Sequence, residues 1–130
     1  MTSASLQATS LSPALTVNDL AKSIQFYGDG LGFEVADRNE RNGVLVYVSL
    51  KAGDGTMGLG QDDFAKGRDR VKGVGVRLWV STKQDVTAIA NRAKAAGIKL
   101  DSDPAALPWG PVAFAVTDPD GYKLTIAQDG

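Results

Sequence analysis

Leu15 to Val35 reads LTVNDLAKSIQFYGDGLGFEV. The run starts as a strand. Over Leu11–Val17, Pro13, Leu15 and Val17 point one way, and Ser12, Ala14 and Thr16 point the other. The period then lengthens: Leu20, Ile24, Tyr27 and Leu31 fall on one face of a helix. Asn18 stands where an N-cap belongs, with Asp19 in the first turn, where a negative charge meets the helix dipole favourably. Gly32 ends the helix, and Phe33-Glu34-Val35 opens another strand.

Downstream, Val44–Leu50 alternates as a third strand. Asp54-Gly55 signals a hairpin, and Thr56–Gly60 is a short fourth strand. Gln61–Gly73 breaks the pattern. Its charges surround a single aromatic, Phe64, so it reads as a solvated linker. The pattern then restarts. Val74–Ser81 is a strand, and Thr82 with Asp85 resembles a capping box. Val86, Ile89 and Ala93 line a helix that Gly97 ends, and Ile98–Leu100 is a short strand. Asp101–Gly110 is turn-rich. Val112–Thr117 and Tyr122–Ala127 are strands around the Asp118-Pro119-Asp120-Gly121 turn.

The halves correspond at offsets of about 63–66 residues: Leu15 with Leu78, Leu31 with Ala96, Asp54 with Asp120. The expectation is an α+β fold of tandem βαβββ modules in one domain over residues 1–130. Module one spans about 11–60, the linker about 61–73 and module two about 74–128.

Composition narrows the chemistry. The chain has 130 residues, net charge −1, no cysteine and no histidine. Scattered Lys and Arg do not make the basic stripe that nucleic acid requires. No apolar run is long enough for a membrane span, and the polar, Ser/Thr-rich start lacks the features of a secretory signal. Without cysteine there are no disulfides, which fits a cytoplasmic location. Without histidine, the usual zinc site, the His-carboxylate iron site and the Ser-His-Asp triad are all excluded.

Leu15–Tyr27 followed by Gly30–Val35 resembles the opening module of the vicinal-oxygen-chelate superfamily, the glyoxalase, bleomycin-resistance and extradiol-dioxygenase group. Phe114–Ile126 resembles that family's last hairpin, and Trp109-Gly110 a segment seen before it. The resemblance covers Leu11 to Gln128. It implies a curved, cup-shaped mixed sheet with helices outside, a ligand within the cup, and a homodimer. Metal-dependent members draw ligands from the first and last strand of each module. Carried onto this chain by motif and internal symmetry, those positions are Ser12, Thr125 and, near their counterparts, Leu59 and Gly75. None is a good transition-metal donor, so no metal and no cofactor are expected.

Parity supplies the candidate ligand-binding residues. Val17, Leu78, Val80, Leu124 and Ile126 face the helices. Ser12, Ala14, Thr16, Arg77, Trp79, Lys123 and Thr125 face the cup. Arg77 can fork onto an anion or carbonyl, or pair internally as a structural residue. Trp79 can stack on a planar ligand or fill the core. Trp109 can cover a ligand from the rim or plug the sheet, and Tyr47 can offer its hydroxyl or simply pack. Phe26 and Tyr27 read as helix packing. Ser12 and Thr125 complete the proposed lining. Glu34 and Glu40 are the only glutamates, and neither has a visible catalytic partner.

Three functions follow as expectations. The first is metal-free binding of a small planar molecule, neutral or anionic, as in antibiotic or toxin sequestration. The second is a lyase, isomerase or dioxygenase with an atypical or absent metal site. The third is a regulatory subunit whose cup is vestigial. Whether the cup forms within one chain or across a dimer stays open at this level.

Overall fold

A computed structural model describes residues 5–129. The first half holds β1 (Ala14–Val17), α1 (Leu20–Gln25) with a π-helical turn at Phe26–Gly30, β2 (Glu34–Arg41), β3 (Val44–Ala52) and β4 (Gly55–Gln61). The second holds β5 (Arg77–Thr82), α2 (Val86–Ala95), β6 (Ser102–Ala106), β7 (Val112–Thr117) and β8 (Lys123–Gln128). The class is α+β, with two open four-stranded mixed sheets in the orders β1-β4-β3-β2 and β5-β8-β7-β6. Each half therefore uses the same plan, in which the first strand lies at an edge and pairs parallel with the last.

Alternation explains what each sheet buries. Leu15, Val17, Val48, Leu50, Met57 and Leu59 of the first sheet join Phe114, Val116, Leu124 and Ile126 of the second in one core with Leu20, Tyr27, Val86, Ala90 and Ala93 from the helical segments. The opposite faces carry polar and aromatic side chains and stay open to solvent.

Several local expectations are corrected. Asp19, not Asn18, caps α1: its carboxylate accepts from Lys22 N at 3.2 Å. Asn18 instead accepts from Lys72 Nζ at 2.7 Å. Asp85, not Thr82, caps α2 through Thr87 N at 2.9 Å, while the Thr82 hydroxyl accepts from Gln84 N in a local turn. Ile98–Leu100 forms no strand. The edge strand β6 lies in the turn-rich stretch instead, entered through Asp101 N→Ala115 O at 2.8 Å. Pro104 is accommodated there because the register slips between Ser102 and Ala105, where a missing N–H leaves no ladder bond unmade.

The linker is tied down rather than simply solvated. Asp62 is buried and receives Lys72 Nζ at 2.8 Å and Arg70 Nη2 at 3.3 Å. The hydrogen bond from Lys72 and that from Phe64 N hold its carboxyl below the usual carboxylate range. At Gly73 a Cβ would collide with the Gly121 backbone, so linker and final turn pass in close contact only because this residue is glycine.

The two halves are joined by polar bonds, one of them fully buried. Tyr27, fully buried, donates to Asp118 Oδ2 at 2.8 Å. Asp118 Oδ1 accepts from Asp120 N and Tyr122 N, both at 2.9 Å. Tyr122 Oη donates to Thr16 O at 3.0 Å, and Asn18 N to Asp120 Oδ1 at 2.9 Å. Burial pushes the Asp118 carboxyl up, against the pull of its three donors, and pushes the Tyr27 phenol up as well. Arg92 on α2 donates to the Gly28 and Asp29 carbonyls of the π-helical turn, both at 3.2 Å.

Candidate functional site

On the second sheet, β5 pairs with β8 so that Arg77 lies opposite Lys123 and Trp79 opposite Thr125. Leu78 and Val80 turn to the helices, which leaves Arg77, Trp79 and Ser81 on the open face. Arg77 Nη1 donates to Thr125 Oγ1 at 3.0 Å, and Trp79 Nε1 to Ser81 Oγ at 3.0 Å. The β6–β7 loop is closed by Leu107 N→Pro111 O at 2.8 Å and Gly110 N→Leu107 O at 2.9 Å. It sets Trp109 over Trp79 with ring centroids 6.3 Å apart and planes 29° from parallel. Both indoles remain open to solvent, Trp79 at 49% and Trp109 at 68%.

On the first sheet, Tyr47 lies opposite Gly60, and Ser49 opposite Gly58. The Tyr47 ring lies flat across β4, where a Cβ at Gly58 would collide with its hydroxyl. That accounts for glycine at position 58, whereas a Cβ at Gly60 would meet the ring at an ordinary contact distance. Tyr47 is 36% exposed, and its hydroxyl has no hydrogen-bond partner among the described residues. Ser12 is exposed and shares a hydrogen bond with the Thr56 hydroxyl.

Arg77, Trp79, Trp109 and Thr125 thus come together on one face, while Tyr47 sits on the other sheet and Ser12 lies in the segment that precedes β1, not within the strand expected over Leu11–Val17. Among the described residues no hydrogen bond joins the two groups. The β4 position is corrected. Leu59 is 0% exposed and pairs with Leu15 on the core side, so the open-face residues of β4 are Thr56, Gly58 and Gly60. Gly75 lies before β5, in a left-handed turn with φ +74°. Sequence reading missed Ser81 and Thr56, which fix Trp79 and Ser12. The parity of Ser81 with Trp79 was the available signal; Thr56 had none until β4 was placed.

The residues do not fit a family-type metal site. Ser12 and Thr125 are hydroxyls engaged in hydrogen bonds, and the β4 positions are glycines under a tyrosine ring. Among the described residues no three His, Cys, Asp or Glu side chains gather where an ion can be held. Two open cavities lie elsewhere. One of about 370 Å³ is lined by Lys22, Phe26, Asp29 and Ile98 among others. One of about 510 Å³ lies between α1 and the β2–β3 hairpin. Among the described residues no helix is long and apolar enough to cross a membrane.

Residues 9–126 match the model of the Glyoxalase/Bleomycin resistance protein/Dioxygenase superfamily, and the chain belongs to that superfamily. Its fold is similar to that of TioX from Micromonospora sp. ML1, at TM-score 0.74 and 20% identity over 92% of this chain and 98% of that one. A glyoxalase-related enzyme from Fulvimarina pelagi gives TM-score 0.72 and 21% identity over 94% and 89%. A superfamily member from Sphaerobacter thermophilus gives 0.71 and 24% over 95% and 100%. At these identities the likeness establishes the fold. No curated protein matches the sequence.

Proposed function

We infer that this chain binds a small planar molecule, neutral or anionic, without a metal, and that it sequesters that molecule as a protective, antibiotic- or toxin-binding protein. One observation carries the reading: Arg77, Trp79, Trp109 and Thr125 converge on a single open face. That face offers aromatic surface and a forked cation, the ingredients of a small-molecule site. The donor set at the family's metal positions supports the metal-free part.

A second copy completes the site. Each chain leaves both sheet faces open, and the outer edges of β1 and β5 are unpaired. Val71, Val74 and Val76 beside β5 are exposed. A homodimer that sets the Tyr47 face of one copy against the Trp79 face of the other encloses a cup. The absence of cysteine fits a cytoplasmic home.

The test combines metal analysis of purified protein, light scattering on a sizing column, and a thermal-shift screen of planar compounds against wild type, Arg77→Ala and Trp79→Ala. Stabilisation lost in both variants, in a metal-poor dimer, is the expected result. Stoichiometric zinc, nickel or iron with activity lost on chelation overturns it, as does a ligand indifferent to both substitutions.

A second reading, a lyase, isomerase or dioxygenase, is favoured by one feature: the Tyr47 hydroxyl stands on the open face with no partner among the described residues. Turnover of a screening hit that is lost in Tyr47→Phe, with binding retained, decides for it.

A further inference from the structure

We propose that Trp79 and Trp109 form a self-closed clamp that opens to take the flat ring system of an aromatic carboxylate, with Arg77 receiving the carboxylate. The proposal rests on the small-molecule reading of this face and narrows it to one ligand class. The chain has only two tryptophans, and they stack on each other on an open sheet face. That is an unusual use of apolar area, because neither indole reaches the core.

Spacing defines the motion. A ring held between two others needs two stacking gaps, about 7–8 Å from one outer ring to the other. The indole centroids are 6.3 Å apart with planes inclined at 29°. The gap between the planes is no larger than that centroid distance, so the clamp has to open by at least about 1 Å and flatten. Trp79 is the fixed jaw: it stands within β5 and is tethered through Nε1 to Ser81. Trp109 is the moving jaw. It sits in a loop, is the more exposed of the two, and precedes Gly110 at φ +126°, a conformation open to glycine.

The charge argument is separate. Arg77 and Lys123 lie directly opposite each other on the same face, and like charges so placed repel. Arg77 gives one N–H to Thr125, and neither cation meets a carboxylate among the described residues. An anion between them removes the repulsion. Arg77 precedes Trp79 by two residues, so the carboxylate belongs about 7 Å from the clamped ring along the strand. A two-ring aromatic acid meets both requirements.

The probe is 2-naphthoate, with 2-naphthamide and cyclohexanecarboxylate as controls. Because all tryptophan fluorescence arises from the clamp, quenching reports it directly, and near-ultraviolet circular dichroism reports the coupling of the stacked indoles. Saturable quenching by 2-naphthoate with collapse of the coupled signal is expected. Trp79→Ala and Trp109→Ala, followed by calorimetry, should each weaken binding about tenfold or more, in line with stacking energies. Arg77→Gln should remove the preference for naphthoate over naphthamide. Cyclohexanecarboxylate binding as well as naphthoate overturns the clamp. So does a coupled signal that persists at saturation while Arg77→Gln still weakens binding; in that case the ligand lies on the face beside closed indoles and the broader reading stands. Binding indifferent to all three substitutions overturns both. Absence of saturable naphthoate binding overturns the ligand class alone.

Discussion

Replacing Tyr27 by Phe removes one hydroxyl from the joint between the two halves and leaves the ring's packing intact. In the native chain that hydroxyl is fully buried and donates to Asp118 Oδ2 at 2.8 Å, while the two backbone donors serve Oδ1. The variant leaves Oδ2 buried without a donor. A hydrogen bond to a charged group is worth about 1.5–3 kcal/mol, and the orphaned oxygen keeps its desolvation cost. A loss of about 2 kcal/mol is expected at pH 7, or about 7 °C in Tm for a chain of this length, from about 2.1 cal/mol/K of unfolding entropy per residue.

The pH dependence has a definite sign. Burial raises the Asp118 carboxyl, and the Tyr27 bond opposes that rise. A carboxyl raised in the folded state binds more protons there than in the unfolded chain. Stability therefore falls as pH climbs from the unfolded value through the folded one. Removing Tyr27's bond moves the folded value further up. The deficit of Tyr27→Phe should then be largest at neutral pH and shrink as the solution is acidified toward the unfolded carboxylate value of about 3.9. Urea denaturation from pH 4 to 8 measures it, with a cycle through Asp118→Ala and the double variant. A coupling energy near zero, or a deficit that does not change with pH, refutes the reasoning.

Other expectations follow from the same geometry. Asp62 is held below the usual carboxylate range by Lys72, so its contribution is complete above the unfolded value and is lost as pH falls through the folded one; Asp62→Ala should flatten the acid limb of a stability–pH curve. Leu59→Ala should cost about 2–5 kcal/mol in urea denaturation as a buried truncation, whereas Ser49→Ala on the open face should cost under about 0.5. Gly58→Ala should cost under about 1 kcal/mol, because the methyl group meets the outer end of the exposed Tyr47 ring, which can swing aside, and Tyr47→Ala in the same chain should remove that loss.

Much of the fold is legible in the sequence because its strands alternate cleanly. Leu15 and Val17 against Ala14 and Thr16, and Leu78 and Val80 against Arg77 and Trp79, declare their faces without a neighbour to consult. The repeat carries one plan into both halves, and it put Arg77, Trp79 and Thr125 on a common face, as the β5–β8 register has them. The helices were legible, but their caps were off by one at Asp19 and by three at Asp85. Ser, Thr, Asn and Asp all suit a cap, and only the backbone bond made selects among them.

The remainder depended on partners far along the chain. Thr56–Gly60 alternates glycine with methionine and leucine, and glycine has no side chain with which to declare a face. Only the pairing of Leu59 with Leu15 assigns it to the core and frees Gly58 for Tyr47. The strand at Ser102–Ala106 was hidden by Pro104, which is acceptable only because an edge strand can slip register there. The Tyr27–Asp118 bond and the Trp79–Trp109 stack join residues that no local period relates. Alternation is a property of each strand and survives in the sequence. Which strand lies beside which, and which loop folds over which face, is set by burying both apolar faces in one core, and that is decided only when the chain closes on itself.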